Sequence, residues 1–284
     1  MEAKNQHYTH ISSKHKFFDL NLKETWKYRD LIWLFTKRTL FVSYKQTILG
    51  PIWIFVNPLI SALLYAFIFG GGLTGQSLSP EGIPTILFYL TSNAIWIFFS
   101  TCVNNNASTF TANASVFGKV YFPRLTVPIS NMLSSIVQFF VQMLLVIGFM
   151  VYYLIVGQVY PIWWAWALIP LALVHLGMLG LGVGLLVSSM TTKYRDLSIL
   201  VTFGVSLWMY ITPVVYGLPA EGALRTIMLI NPVTQPMELI RFAMLGQGTI
   251  EPLWYSISVA VTLIVLLIGI MIFNKVERTF ADTV

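Results

Sequence analysis

His175 is the one ionisable side chain that stands well inside any long apolar stretch of this 284-residue chain. A histidine at membrane depth is a functional candidate by default. No carboxylate accompanies it in any apolar stretch, so a hydrogen bond between two helices is the simpler use. A second group, His7, His10 and His15, has ring nitrogens suited to a metal, but no cluster of acid or thiol ligands goes with it. The patterns that would place a zinc site, a serine nucleophile or a phosphate-cradling loop are missing. Gly118-Lys119, for instance, lacks both the upstream glycine and the following hydroxyl of a phosphate loop. Ion-coupled transport needs ionisable groups at membrane depth, and voltage sensing needs an arginine-rich span; neither is present. The chain therefore reads as one that moves or scaffolds something, with no catalytic residue, metal or cofactor of its own and with its energy supplied from outside.

The elements that would do this are membrane helices. The composition is 56% hydrophobic and only 10% charged, against about 25% charged in a soluble domain. Six stretches are predicted to cross: Ile52 to Phe69, Ile86 to Val103, Pro128 to Val156, Trp163 to Val187, Leu197 to Tyr216 and Leu253 to Phe273. Each is close to the roughly 17–25 residues that a crossing requires. Trp163, Trp164, Trp166 and Trp254 sit near their ends, as an interfacial aromatic belt would. No secretory signal peptide is expected ahead of them, and Cys102, the single cysteine, allows no disulfide within the chain. Lysine and arginine fix the orientation. The N-terminal segment, the loops at Lys119–Arg124 and Lys193–Arg195, and Lys275 with Arg278 fall on one side, while only Arg225 and Arg241 fall on the other. Both termini are thus predicted to be cytoplasmic. The net charge of +6 reflects this topology and contact with anionic membrane lipids, not binding of nucleic acid.

Residues 1–22 read as a cytoplasmic tail, 23–50 as an interfacial amphipathic helix, 51–274 as the six-span domain and 275–284 as a cytoplasmic C-terminus. In the interfacial helix Leu31, Leu34, Phe35, Val42 and Leu49 share a face that also carries Arg38 and Lys45. Those cations either snorkel to lipid phosphates or meet a cytoplasmic partner. Gly50-Pro51 is where the helix would bend into the membrane. The loop Gly118 to Pro128 joins two prolines, two cations, Tyr121 and Phe122. It reads as a connector anchored in the interface or, better, as a stiff apolar knob docked on another protein. Gly180 and Gly184 form a small-xxx-small pair for close helix packing, and Gln138 and Gln142 are placed for bonds between helices. In the outer segment 217–251, Asn231-Pro232 should start a short helix and Gly246 stop it, with Met237, Ile240 and Met244 apolar among Gln235, Glu238 and Arg241. Pro236 should interrupt that helix.

Several of these runs together resemble a known family. Tyr28-Arg29-Asp30-Leu31, Arg38, Tyr44-Lys45, Leu49-Gly50-Pro51-Ile52-Trp53 and Pro58 look like the N-terminal signature of ABC-2 type permeases that export polysaccharides and polyol phosphates. Lys119-Val-Tyr-Phe-Pro-Arg124 with Pro128, Tyr194-Arg195-Asp196, Pro213-Val214-Val215-Tyr216, and Asn231-Pro232 with Arg241 and Gly246 continue it. The resemblance implies an all-α polytopic protein of six spans with an interface helix, a coupling helix within 117–127 and outer re-entrant gating helices within 217–251. It implies a homodimer with two nucleotide-binding ATPase subunits that hold the ATP and magnesium. Coupling to the ATPase would fall to Arg29, Asp30, Arg38, Lys45, Lys119, Tyr121, Phe122, Pro123, Arg124 and Arg195. The outer gate would use Asn231, Pro232, Glu238 and Arg241, and spans one and five would line the channel.

The cargo expected is a lipid-linked glycan of the O-antigen type. Drawing sugar hydroxyls through hydrocarbon costs several kcal/mol for each one left unpaired. The path must therefore be walled by protein, with aromatic rings for the sugar C–H faces and no fixed charge to arrest a sliding polymer. Trp53, Phe55, Tyr65, Phe69, Trp208, Tyr210 and Tyr216 are the candidate lining, although each taken singly reads equally well as a packing or lipid-facing aromatic. A teichoic-acid exporter permease is the near alternative. An ABC-2 lipid or drug exporter, an ATPase-independent channel and a membrane glycosyltransferase are more distant.

Overall fold

A computed structural model of the protein describes residues 22–45, 50–73, 75–117, 119–120, 122–192, 194 and 196–283. The expectations for Tyr121, Arg195 and the histidines of the tail fall outside these residues. The described residues are almost wholly helical. The elements are α1 (Leu22–Lys27), α2 (Arg29–Lys45), a 3-10 turn (Gly50–Ile52), α3 (Trp53–Phe69), α4 (Thr85–Ala107), α5 (Thr109–Phe117) and α6 (Thr126–Ile155). A second 3-10 turn (Trp163–Leu168) leads into α7 (Ile169–Thr191), and α8 (Leu197–Ile211), α9 (Ala223–Ile230), α10 (Thr234–Leu245) and α11 (Pro252–Thr283) complete the chain. Five of the helical segments are long and apolar enough to cross a membrane. The predicted crossing from Leu197 to Tyr216 is different. Its helix stops at Ile211 because Thr212 turns extended, which leaves about 22 Å of helix against a hydrocarbon core of roughly 30 Å.

The bundle is built around α7, and its glycines explain why. A Cβ at Gly180 would stand 3.0 Å from the Cys102 Cβ of α4, and one at Gly184 would collide with Asn106 and approach the Val103 carbonyl to 2.9 Å. On its other side a Cβ at Gly182 would meet the Leu266 Cα of α11 at 2.8 Å, while Gly269 of α11 lies against the Gly182 carbonyl. Backbones approach this closely only where side chains are absent. Serine, threonine and asparagine then bond across the seams. The Asn131 amide of α6 donates to the Asn105 carbonyl of α4 at 3.1 Å, and the Thr191 hydroxyl donates to the Ala107 carbonyl at 3.1 Å. His175 finds its partners on α11, with Nε2 at 2.9 Å from the Thr262 hydroxyl and 3.2 Å from that of Ser258. This is the bond between helices that a lone intramembrane histidine calls for. Gln142 is buried with no partner at Oε1 among the described residues, against the expectation of a bond there.

Because α4 and α7 hold the middle, other helices are left at the edge. In α4 78% of the apolar stretch is buried and in α3 only 11%. Pro58 interrupts the hydrogen-bond ladder of α3, and its own carbonyl accepts from the Asn93 side chain of α4 at 3.3 Å. The chain enters α3 through Gly50, whose φ of 53° is a left-handed value that glycine adopts at little cost.

The glycine seam makes a direct prediction. Gly184→Leu should lower the thermal stability of the purified protein by about 1–3 kcal/mol or prevent folding. Gly148→Ala, where an added Cβ meets nothing within 4 Å, should leave it unchanged. Thermal unfolding in detergent distinguishes the two.

Candidate functional site

Three regions gather the residues singled out from sequence. The first lies where α2, the segment after α5 and the end of α11 converge. The interfacial helix is two helices, broken at Tyr28, and its buried face runs through Ile32 and Thr36 with Leu31 and Phe35 beside them. Leu34 and Val42, expected on that face, are instead 60% and 66% exposed. Their neighbours Trp33 and Phe41 are exposed as well, with the Lys37 ammonium 5.4 Å from the Trp33 ring centre. Arg29, Asp30, Arg38 and Lys45 are all on the surface.

Phe122 corrects an expectation. Read as a knob for another protein, it is 5% exposed and buried in its own chain. Its ring centre lies 5.6 Å from that of Phe35 and 5.7 Å from that of Phe117. Arg124 rests over Phe117 at 5.5 Å, and Phe110 stacks on Phe273 of α11 at 4.5 Å. An aromatic residue just before Pro123 needed a place to be buried, and the chain supplies one. Pro123 is half-buried, and among the described loop residues Lys119 and Val120 lie outside, the latter 60% exposed. Phe122 thus packs this loop against α2.

The second region is the seam of α3, α4 and α8. The Tyr65 hydroxyl of α3 lies 3.7 Å from the Met209 sulfur of α8, and the Tyr65 ring stands 6.3 Å from both Phe69 and Tyr89. Trp53, Tyr210 and much of the α3 and α8 surface are exposed, while Phe55 and Phe69 are half-buried. Trp208 does structural work: its ring meets Phe99 edge-on at 5.3 Å and its indole N–H donates to Asn231 Oδ1 at 3.1 Å. The Tyr216 hydroxyl donates to the Tyr210 carbonyl. Neither α3 nor α8 carries an Asp, Glu, Lys or Arg.

The third region, at the opposite end of the bundle from Phe122, is the α9–α10 hairpin. Asn231 makes its corner: Oδ1 also accepts from the Val233 N–H at 3.1 Å, and Nδ2 donates to the Thr212 hydroxyl at 2.8 Å. The motif thus ties the end of α8 to the start of α10. Pro236 does not interrupt α10; it sits third in the helix, in the first turn, where a missing N–H costs nothing. Gly246 ends it with φ of 73°.

Within α10 Glu238 and Arg241 are not at the surface but fully buried, with side chains 5% and 2% exposed. The guanidinium donates to Glu238 at 2.6 Å, to the Ser92 hydroxyl of α4 at 3.0 and 2.6 Å, and to the Pro213 carbonyl. It lies 4.4 Å from the Phe88 ring centre. The other oxygen of Glu238 accepts from the Thr249 N–H at 3.1 Å. Burial lowers the Arg241 pKa from its ordinary value, and the Glu238 carboxylate opposes that shift. Arg225, the other cation of this segment, pairs with Glu251 and donates to the Pro219 carbonyl at 2.6 Å. Ser92 and Thr212 were not visible as partners in the sequence, since a serine far away along the chain leaves no local mark.

Removing one member of a buried ion pair strands the other at a cost of about 3–5 kcal/mol. Arg241→Met should therefore destabilise the protein by that amount, and the double variant Arg241→Met, Glu238→Leu should recover most of the loss. A double-mutant cycle on thermal unfolding measures it.

Known proteins can now be set beside this geometry. A family model described as ABC-2 type transporter matches residues 30–245. An O-antigen export system permease protein RfbA of Klebsiella pneumoniae is 30% identical over 257 residues, 89% of this chain and 94% of that protein. A protein of the same name from Myxococcus xanthus is 27% identical over 271 residues, 93% of this chain and 98% of its own length. The matched region runs from α2 through the α9–α10 hairpin, about three quarters of the chain, so this polytopic membrane protein belongs to the ABC-2 type transporter family.

Proposed function

We propose that the chain is the transmembrane subunit of an ATP-driven exporter that moves a lipid-linked polysaccharide of the O-antigen type out across the bacterial inner membrane. It would act as a homodimer with two nucleotide-binding ATPase subunits, which hold the ATP and magnesium. The observation that carries this reading is the pair of uncharged surfaces on α3 and α8, joined at Tyr65 and Met209, in a chain that matches O-antigen export permeases over nearly their full length. A neutral, aromatic-bearing wall suits a polymer that must slide. Exposed Trp53 and Tyr210 would touch it, and Tyr65, Phe69 and Tyr216 would shape the groove. Trp208 positions the wall through Asn231 instead of meeting the cargo.

On this reading α8 and the turn after it make the sixth crossing, and α9 and α10 fold back into the outer leaflet as a gate. Arg29, Asp30, Arg38, Lys45, Lys119 and Val120 face the cytoplasm and the ATPase. Closure of the ATPase dimer pushes on Lys119 and Val120, Phe122 passes the push to Phe35, and α2 swings about Gly50 and carries α3 with it.

Cells lacking this chain and its ATPase should hold the glycan on the cytoplasmic side of the membrane. Supplying both proteins should restore surface glycan, while the chain alone should not. Export by the chain alone would favour a passive channel instead. Val120→Asp should weaken co-purification of the ATPase by about tenfold or more, because an unpaired charge buried at an interface costs upwards of 1.4 kcal/mol. Phe122→Leu should keep the ATPase bound and lower only the export obtained per ATP.

A further inference from the structure

A cavity of about 270 Å³ opens beside the α9–α10 hairpin, between the α3–α4 connection, the turn after α8 and the α10–α11 connection. Pro80, Leu218 and Gln247 stand on its walls, and Glu238 and Arg241 form its floor. Among the described residues no other ionisable side chain lines it, so the floor pair leaves it with no net charge. A lone anion or cation would lose its water there and gain no counter-charge.

What the cavity offers is hydrogen bonding. A carboxylate has about four acceptor positions, and Glu238 commits one oxygen to Arg241 and the other to the Thr249 N–H. Each oxygen therefore keeps capacity to accept from a hydroxyl. The Gln247 amide is exposed at the rim and makes no hydrogen bond to another described residue. Pro80 and Leu218 add flat apolar surface. Acceptors, an uncommitted amide and C–H surface without net charge are the requirements of a neutral polyhydroxyl ring. The volume lies just below the roughly 300–1,000 Å³ of ordinary small-molecule sites, which limits the guest to about one ring.

Its position supports the same guest. The cavity wall continues from Tyr216 through Gly217, whose N–H donates to the Leu78 carbonyl at 3.2 Å. It thus begins where the aromatic run of α8 ends.

We propose that this cavity is a subsite that holds one neutral sugar ring of the polymer as it leaves the outer end of the path, in preference to a polyol phosphate. The proposal rests on the glycan-export reading. The native cysteine, Cys102, is buried, so an introduced thiol can be followed alone. Gln247→Cys is treated with a membrane-impermeant maleimide in cells that make a neutral glycan and in cells deleted for the first glycosyltransferase of its synthesis. Labelling should be at least threefold slower when the glycan is made. Gln158→Cys, exposed outside the cavity, should label equally in both. Loss of export in Gln247→Cys at unchanged protein amount also supports the subsite, since that amide bonds to nothing else in the described chain. Where Gln247→Cys still exports, equal labelling in the two cells overturns the subsite and leaves the export reading standing. Failure of the wild-type chain to export overturns the export reading itself. Equal protection in cells whose polymer is poly(ribitol phosphate) overturns the preference for a neutral ring.

Discussion

The close approach of three backbones at α7 governs everything else in this structure. Gly180 and Gly184 admit α4, and Gly182 admits α11. In hydrocarbon, where water gives no push toward association, such packing and the hydrogen bonds beside it hold helices together. Once α4 and α7 fill the centre, α3 and α8 can only lie at the edge. Their uncharged outer surfaces are left for something other than this chain's own core. The packing of the middle helices is what leaves these surfaces open.

Both ends of the bundle repeat a common device, in which a residue that looks free from sequence is held inside. At one end Phe122 is clamped between Phe35 and Phe117. At the other Arg241 is clamped by Glu238, Ser92 and the Pro213 carbonyl. Each clamp joins a connecting segment to a long helix, α2 in the first case and α4 in the second. The Asn231 corner extends the second clamp to α8 through Trp208 and Thr212.

Much of this could be read in advance where the signal was local. Charge depletion marked the long helices, Gly50 marked the bend, the glycine spacing marked the α4–α7 seam, and Gly246 marked the end of α10. What could not be read depended on partners distant in the chain. Nothing near Phe122 says that Phe35 will cover it, so an apolar loop looked like a docking knob. Leu34 and Val42 fit a helical face by spacing, yet the face that packs on α6 runs through Ile32 and Thr36. Glu238 and Arg241 were legible as polar residues of an outer helix but not as a buried pair, because Ser92 and the backbone that satisfies them come from other elements. Pro236 looked like a break because its position relative to the start of the helix was unknown.

The central claim is that an uncharged wall on α3 and α8 carries a sugar polymer. A photoreactive side chain placed at Tyr210, exposed on α8, tests it in cells that make the glycan. On illumination the chain should gain a ladder of glycan adducts spaced by the polymer's repeat. The same group at Ile264, exposed on α11, should capture phospholipid alone. If Tyr210 too captures only phospholipid, the polymer does not pass along this wall and the account fails.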